Sequence, residues 1–257
     1  MDTAADPVVL EPHAIYFFYS RVEMNKDPLL LERYWSVISG AEKAKCDRYV
    51  FEKDRLSCLV TRALVRFVLS VVTGLPPGHF QFTENAHGKP ALEQGCVSMP
   101  IRFNLSHSRG LTACAVALDR AIGVDVEHHQ ENIDLSLAER YFTLREADYI
   151  RERPPEERAA AFFDLWTLKE AYIKARGMGL SIDLDQFGYE INPEIRVHMD
   201  SCLEDTPDRW RFFRFSPEAD YHAAIAVQGY AEEVWRFHVY RCVPFVRIDR
   251  INRTLHC

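Results

Sequence analysis

What the chain lacks narrows it first. Its 7 cysteines form no Cys-x-x-Cys pair and no spacing of metal-ligand type. Cys46, Cys58, Cys96, Cys114, Cys202, Cys242 and Cys257 therefore read as scattered free thiols of a reducing cytoplasm. No hydrophobic run reaches the length of a membrane span, and Met1 to Pro7 is acidic with no apolar segment of signal-peptide type. Positive charge is in deficit as well. The formal net charge of -7 excludes a general nucleic-acid coat and makes any anion site a local one. What is there, 257 residues of which 47% are hydrophobic and 27% charged, suits a soluble protein of one large domain or two small ones.

Along the chain, Ala14 to Tyr19 reads as a strand. Leu29 to Ile38 and the basic stretch Glu42 to Tyr49 read as helices. Leu56, Leu59, Val60, Ala63, Leu64, Phe67, Val68 and Val71 mark a strongly amphipathic helix, which Gly74 and Pro76-Pro77 end. Ile101 to Leu105 alternates as a strand into Ser106-His107-Ser108. Thr112 to Leu118 and Ala121 to Glu127 are expected to form a hairpin through Asp119-Arg120.

The second half repeats this order of elements. A helix around Trp166 ends at Gly177-Met178-Gly179, and Arg214-Phe215 followed by Ala223 to Val227 echoes Arg102-Phe103 followed by Ala113 to Val116. The expectation is an α+β fold of two similar halves, each a small antiparallel sheet packed with helices, joined near residues 118–130. The boundaries are set at 1–122, 123–245 and a tail, 246–257.

Two stretches carry the chemistry. In the strand Gly123-Val124-Asp125-Val126-Glu127 the two carboxylates share one face, roughly 6.6 Å apart at Cα. In the helix, Glu170 falls within the apolar stripe of Phe163, Trp166 and Ile173, with Lys174 one turn further on. A carboxylate on a core-facing stripe is costly to bury without positive charge nearby. Three carboxylates and an ammonium so placed point to a magnesium site beside a phosphate.

Phe103-Asn104-Leu105-Ser106-His107-Ser108, Gly123 to Glu127, and Trp166-xx-Lys169-Glu170-Ala171-xx-Lys174 occur in that order. Together with Gly88-Lys89-Pro90 and Lys45 to Tyr49, they resemble the 4′-phosphopantetheinyl transferases of the surfactin-synthetase-activating type. The likeness runs from about residue 35 to residue 230. It implies a pseudo-twofold monomer that moves phosphopantetheine from coenzyme A to a serine of an apo acyl, peptidyl or aryl carrier protein, releasing adenosine 3′,5′-bisphosphate. It assigns Mg²⁺ to Asp125, Glu127 and Glu170, and coenzyme A contacts to Lys45, Lys89, Asn104, Ser106, His107 and Lys174, with Glu170 and Lys174 taking part in the reaction. It also places the carrier against the second half. There the Gly177-Met178-Gly179-Leu180 loop and Arg145, Arg151 and Arg176 offer a docking patch.

Each motif alone has a plainer reading. Asp-x-Glu at a strand end is commonly a solvated edge, and Glu170 with Lys174 fits an ordinary i, i+4 pair. Two other functions share parts of the pattern. A nucleotide-sugar glycosyltransferase would use Asp125-x-Glu127 on a diphosphate-bound metal. A carrier-binding module without activity would have lost a carboxylate or the lysine, and none is lost here.

Overall fold

The computed structural model describes residues 8–192 and 194–252, with the side chain of Leu180 left out. The chain divides into two compact units. One comprises the chain up to Glu84, Pro90–Asp119 and the segment from Trp235; the other comprises Asn85–Lys89 and Arg120–Val234.

In the first unit, β1 (Ala14–Arg21) lies between β5 (Leu111–Leu118) and β11 (Arg236–Val243). β4 (Ile101–Ser108) and β12 (Arg247–Ile251) complete a five-stranded sheet in the order β12-β11-β1-β5-β4. All its pairings are antiparallel except β1 with β11. α1 (Pro28–Val37), α2 (Gly40–Asp47) and α3 (Glu52–Thr73) accompany it, and a small hairpin pairs β2 (Phe82–Glu84) with β3 (Pro90–Leu92). Ser39 and Glu42 form a reciprocal capping box that starts α2. α3 ends where Gly74 takes φ +74, the left-handed cap that costs glycine nothing.

The second unit is simpler. β6 (Ile122–His128), β10 (Tyr221–Gln228) and β9 (Trp210–Phe215) form an antiparallel sheet in the order β6-β10-β9. α4 (Ser136–Tyr141), α5 (Leu144–Arg151) and α6 (Pro155–Arg176) pack with it, as does the hairpin of β7 (Phe187–Glu190) and β8 (Arg196–Met199). α6 is 22 residues long, like α3, and also ends at a left-handed glycine, Gly177. Because residues on several of its faces are buried, α6 is a core helix. The repeat read from the sequence is therefore present at the level of elements, with β9–β10 and α6 answering β4–β5 and α3.

Four expectations need correction. The hairpin between 112–118 and 121–127 does not form: β5 pairs with β1 and β4, and β6 pairs with β10. Asp119 instead adopts φ +49 and donates its N–H to Pro100 O at 2.7 Å, so the short link steps between sheets. Residues 236–251 are not second-half and tail residues but two strands of the first sheet. Cys46 and Cys58 are joined in a disulfide, because the tight turn from α2 into α3 brings their Cα atoms to 5.5 Å. The thiol argument for a reducing compartment thus loses one pair, while Cys96, Cys114, Cys202 and Cys242 are free thiols and Cys257 lies outside the described residues. Finally, α3 is long and apolar enough to cross a membrane by length and composition alone, although 67% of that window is buried within the protein.

Candidate active site

Gly123 explains how β6 meets α6. A Cβ at that position would overlap Ala171 O and Ala175 N and lie 2.9 Å from Ala175 Cα, so only glycine lets the strand rest on the helix backbone. Strand alternation then turns Asp125 and Glu127 toward the same side. Their cross-strand partners on β10, in order from Gly123, are Ala226, Ala224 and His222.

Asp125 is buried and Lys174, from the last turn of α6, brings its Nζ to 2.6 Å from Asp125 Oδ1. Glu170 stands one turn before Lys174. Burial pushes its carboxyl above the usual range, the Asp125 charge pushes it further, and the Lys174 ammonium opposes both. Asp125 and Glu170 are therefore a neighbouring carboxylate pair from two elements, with one ammonium beside them. Glu127 is half-buried at the outer end of the row.

Among the described residues, no three His, Cys, Asp or Glu side chains are gathered closely enough to hold a metal by themselves. The expected set of Asp125, Glu127 and Glu170 is thus not a closed three-carboxylate cage. Magnesium, however, is commonly held by one or two carboxylates and completed by substrate phosphates and water. Two hard oxygen donors, of which Glu170 is held above the usual carboxyl range by burial and by the Asp125 charge, fit such a cation.

The nucleotide-side candidates divide by strand alternation. Asn104 and Ser106 are buried on one side of β4, whereas His107, on the other side, is exposed. His107 lines a cavity of about 1250 Å³ together with Ser108, Arg109, Tyr49, Lys53 and Arg55, all within the first unit. Lys45 lies at the end of α2 and bonds Glu84 Oε1 at 2.9 Å; this hydrogen bond pulls the Glu84 carboxyl below its usual range. Lys89 belongs to the second unit, where its ammonium donates to Ile122 O and Ala175 O, each at 3.0 Å.

Several residues around the site went unassigned in the sequence reading. Lys169, the first lysine of the α6 motif, is fully buried. It pairs with Glu146 Oε2 at 2.9 Å and donates to Leu184 O and Phe187 O, pinning the segment that follows α6. Burial drives its ammonium below the usual lysine range, and Glu146 counters that. Asp164, on α6, takes an ion pair from Arg214 on β9 and meets His222 Nδ1 at 2.8 Å. A charged residue within a helix buried on several faces was the available signal for both.

The proposed docking patch is smaller than the sequence suggested. Arg176 is not an exposed arginine: it is 18% exposed and bonds Asp205 Oδ2 at 2.8 Å, which also accepts from Tyr172 and Trp210. Arg151 is exposed but paired with Asp148, and Arg145 is exposed near Glu190. Met178 is 37% exposed, consistent with a surface position.

With fold and site in view, the class follows from comparison with known proteins. Residues 28–118 match the family model "4′-phosphopantetheinyl transferase, N-terminal", and residues 121–226 match that of the "4′-phosphopantetheinyl transferase superfamily". This chain belongs to the 4′-phosphopantetheinyl transferase family and is an enzyme of that kind. It is similar to the 4′-phosphopantetheinyl transferase HetI of Nostoc sp., at 32% identity over 82% of this chain and 86% of that one. It is also similar to Sfp of Bacillus subtilis, at 28% identity over 79% of this chain and 88% of that one. The L-aminoadipate-semialdehyde dehydrogenase-phosphopantetheinyl transferase of Xenopus laevis is 29% identical over 74% of this chain and 68% of that one.

Proposed function

We propose that the enzyme transfers 4′-phosphopantetheine from coenzyme A to a serine hydroxyl of an apo carrier protein. The serine Oγ–P bond forms, the P–O bond of the diphosphate breaks, adenosine 3′,5′-bisphosphate leaves, and the serine proton passes to a base. The observation that carries this reading is the neighbouring carboxylate pair of buried Asp125 and half-buried Glu170, with Lys174 at 2.6 Å from Asp125.

Asp125 and Glu170 would hold Mg²⁺, with Glu127 next along the strand as a further oxygen donor; the cation supplies charge neutralisation on the diphosphate as the leaving group departs. Lys174 steadies Asp125 and is the ammonium that would meet a phosphate oxygen. The serine proton passes either to Glu170 or to a water held by the cation. The family likeness assigns Lys45, Asn104, Ser106 and His107 to coenzyme A, and of these His107 lines a cavity of the first unit. The cavity beside His107 has room for a nucleotide. Positioning and electrostatics of this kind do most of the work in phosphoryl transfer.

The test is direct. Incubation with coenzyme A, Mg²⁺ and an apo carrier should raise the carrier's intact mass by one phosphopantetheine. An unchanged mass across acyl, peptidyl and aryl carriers contradicts the proposal.

A further inference from the structure

Lys89 is expected from the family likeness to meet a phosphate, yet its ammonium is bonded elsewhere. It donates to Ile122 O at the start of β6 and to Ala175 O in the last turn of α6. Asn85 joins it: its Nδ2 donates to Gly177 O at 2.6 Å, while its Oδ1 accepts from His87 N and Lys89 N. Gly88, at φ +80, closes this turn through its N–H to Asn85 O. The turn packs tightly on the helix end, where a Cβ at Gly177 would lie 3.0 Å from Lys89 Cδ and 3.1 Å from Asn85 Nδ2.

The last carbonyls of a helix have no partner within it, and a cation there also meets the negative end of the helix dipole. Lys89 and Asn85 supply the missing donors at Ala175 and Gly177. Lys89 does more, because its second bond reaches the strand. Ile122 immediately precedes Gly123, and Ala175 is one of the residues on which Gly123 rests. The ammonium therefore ties strand to helix at their closest approach. Lys174 and Glu170 lie on the helix side of that stitch, and Asp125 on the strand side.

We infer that the 85–89 turn is a positioning clamp, in which Lys89 holds the end of α6 against β6 and so sets the spacing of Asp125, Glu170 and Lys174. Lys89 then acts through those residues and not on a phosphate. The inference rests on the proposed transfer from coenzyme A, and its test keeps the two apart.

The experiment compares full-length wild type with Lys89→Met, Lys89→Arg and Asn85→Ala. It measures calorimetric coenzyme A binding, kcat at saturating carrier, and melting temperature. Removing a residue that orients the groups at a metal site typically costs 10–100-fold. Lys89→Met should lose about that much in kcat with coenzyme A affinity held within about twofold. Lys89→Arg, with several donors to reach both carbonyls, should recover most of kcat, and Asn85→Ala should show the same pattern more weakly. Coenzyme A affinity falling by about tenfold or more in Lys89→Met restores the phosphate role and overturns the clamp. A kcat within about twofold of wild type, with only the melting temperature lowered, reduces the turn to a helix cap and overturns it too. If Lys89→Met does not fold, a low kcat in Asn85→Ala beside a near-normal one in Lys89→Arg supports the clamp, and any other pattern rejects it. Failure of the wild type to bind coenzyme A would instead strike the proposed function.

Discussion

Lys174 Nζ sits 2.6 Å from Asp125 Oδ1, joining the last turn of α6 to the middle of β6. Asp125 is buried, and Glu170 lies close enough that the Asp125 charge raises its carboxyl. One ammonium thus stands beside two carboxylates, the second of which burial and the Asp125 charge hold above its usual range. Sites that bind cations keep this kind of strain, and stability tests should reveal it.

Glu170→Gln should stabilise the metal-free protein at neutral pH while removing transfer. The Glu170 carboxyl is raised in the folded state above its ordinary 4.5. The native protein therefore holds that proton more tightly than the unfolded chain, and stability falls as pH rises from 4.5 through the raised value. Glutamine cannot ionise, so its advantage should appear above that window and vanish below about pH 4.5. Melting curves of both proteins from pH 4 to pH 8 in chelator read this out; parallel curves contradict the linkage.

Gly123→Ala tests the seat of the strand. The added methyl meets helix backbone, not a flexible side chain. Overpacking commonly costs about 1–3 kcal/mol, and here relief requires moving α6 off β6. Urea unfolding should show at least that loss, together with a fall in kcat as the Asp125–Lys174 contact opens. A variant of wild-type stability would show that the strand does not lie where Gly123 puts it.

Lys169→Ala should be among the most destabilising single changes. It leaves Glu146 buried without its partner and frees Leu184 O and Phe187 O. Breaking one side of a buried pair costs about 3–5 kcal/mol. Denaturant unfolding of Lys169→Ala beside Arg151→Ala, an exposed pair expected to cost under about 1 kcal/mol, separates the two. Equal losses would contradict the assignment of Lys169 to the core.

Met178→Asp should raise the KM for the carrier and leave coenzyme A affinity within about twofold, because it puts a charge in the apolar centre of the surface where the family likeness places the carrier. Met178 is 37% exposed and its Sδ lies 3.3 Å from Arg176 Nη2. A lowered melting temperature with an unchanged carrier KM would return Met178 to a helix-end packing role.

Much of this arrangement is legible in the sequence because periodicity reports which face a side chain takes. Gly123, Asp125 and Glu127 alternate onto one face, and the structure keeps that alternation. The single apolar stripe expected around Glu170 is not kept, because α6 is buried on several faces. Pairing between strands does not follow from periodicity. The same short, turn-forming link, Asp119-Arg120, serves a hairpin or a step between sheets, and here it is the step. Nor does spacing along the chain reveal that β11 returns beside β1, or that Cys46 on α2 meets Cys58 on α3. Lys169 and Lys174 look alike in sequence, but one is enclosed in the core and the other reaches Asp125. Which carbonyls a lysine finds is a tertiary fact, as Lys89 illustrates.

Asp125 and Glu170 are proposed to form the cation site for transfer. The initial rate of carrier modification at saturating coenzyme A, titrated with Mg²⁺ for wild type and Asp125→Ala, tests this most directly. The wild-type rate should rise from near zero to saturation with Mg²⁺. The Asp125→Ala rate should be lower by at least about 100-fold, with a normal melting curve. A wild-type rate independent of Mg²⁺ in chelator, or an Asp125→Ala enzyme that matches wild type at ordinary Mg²⁺, would contradict it.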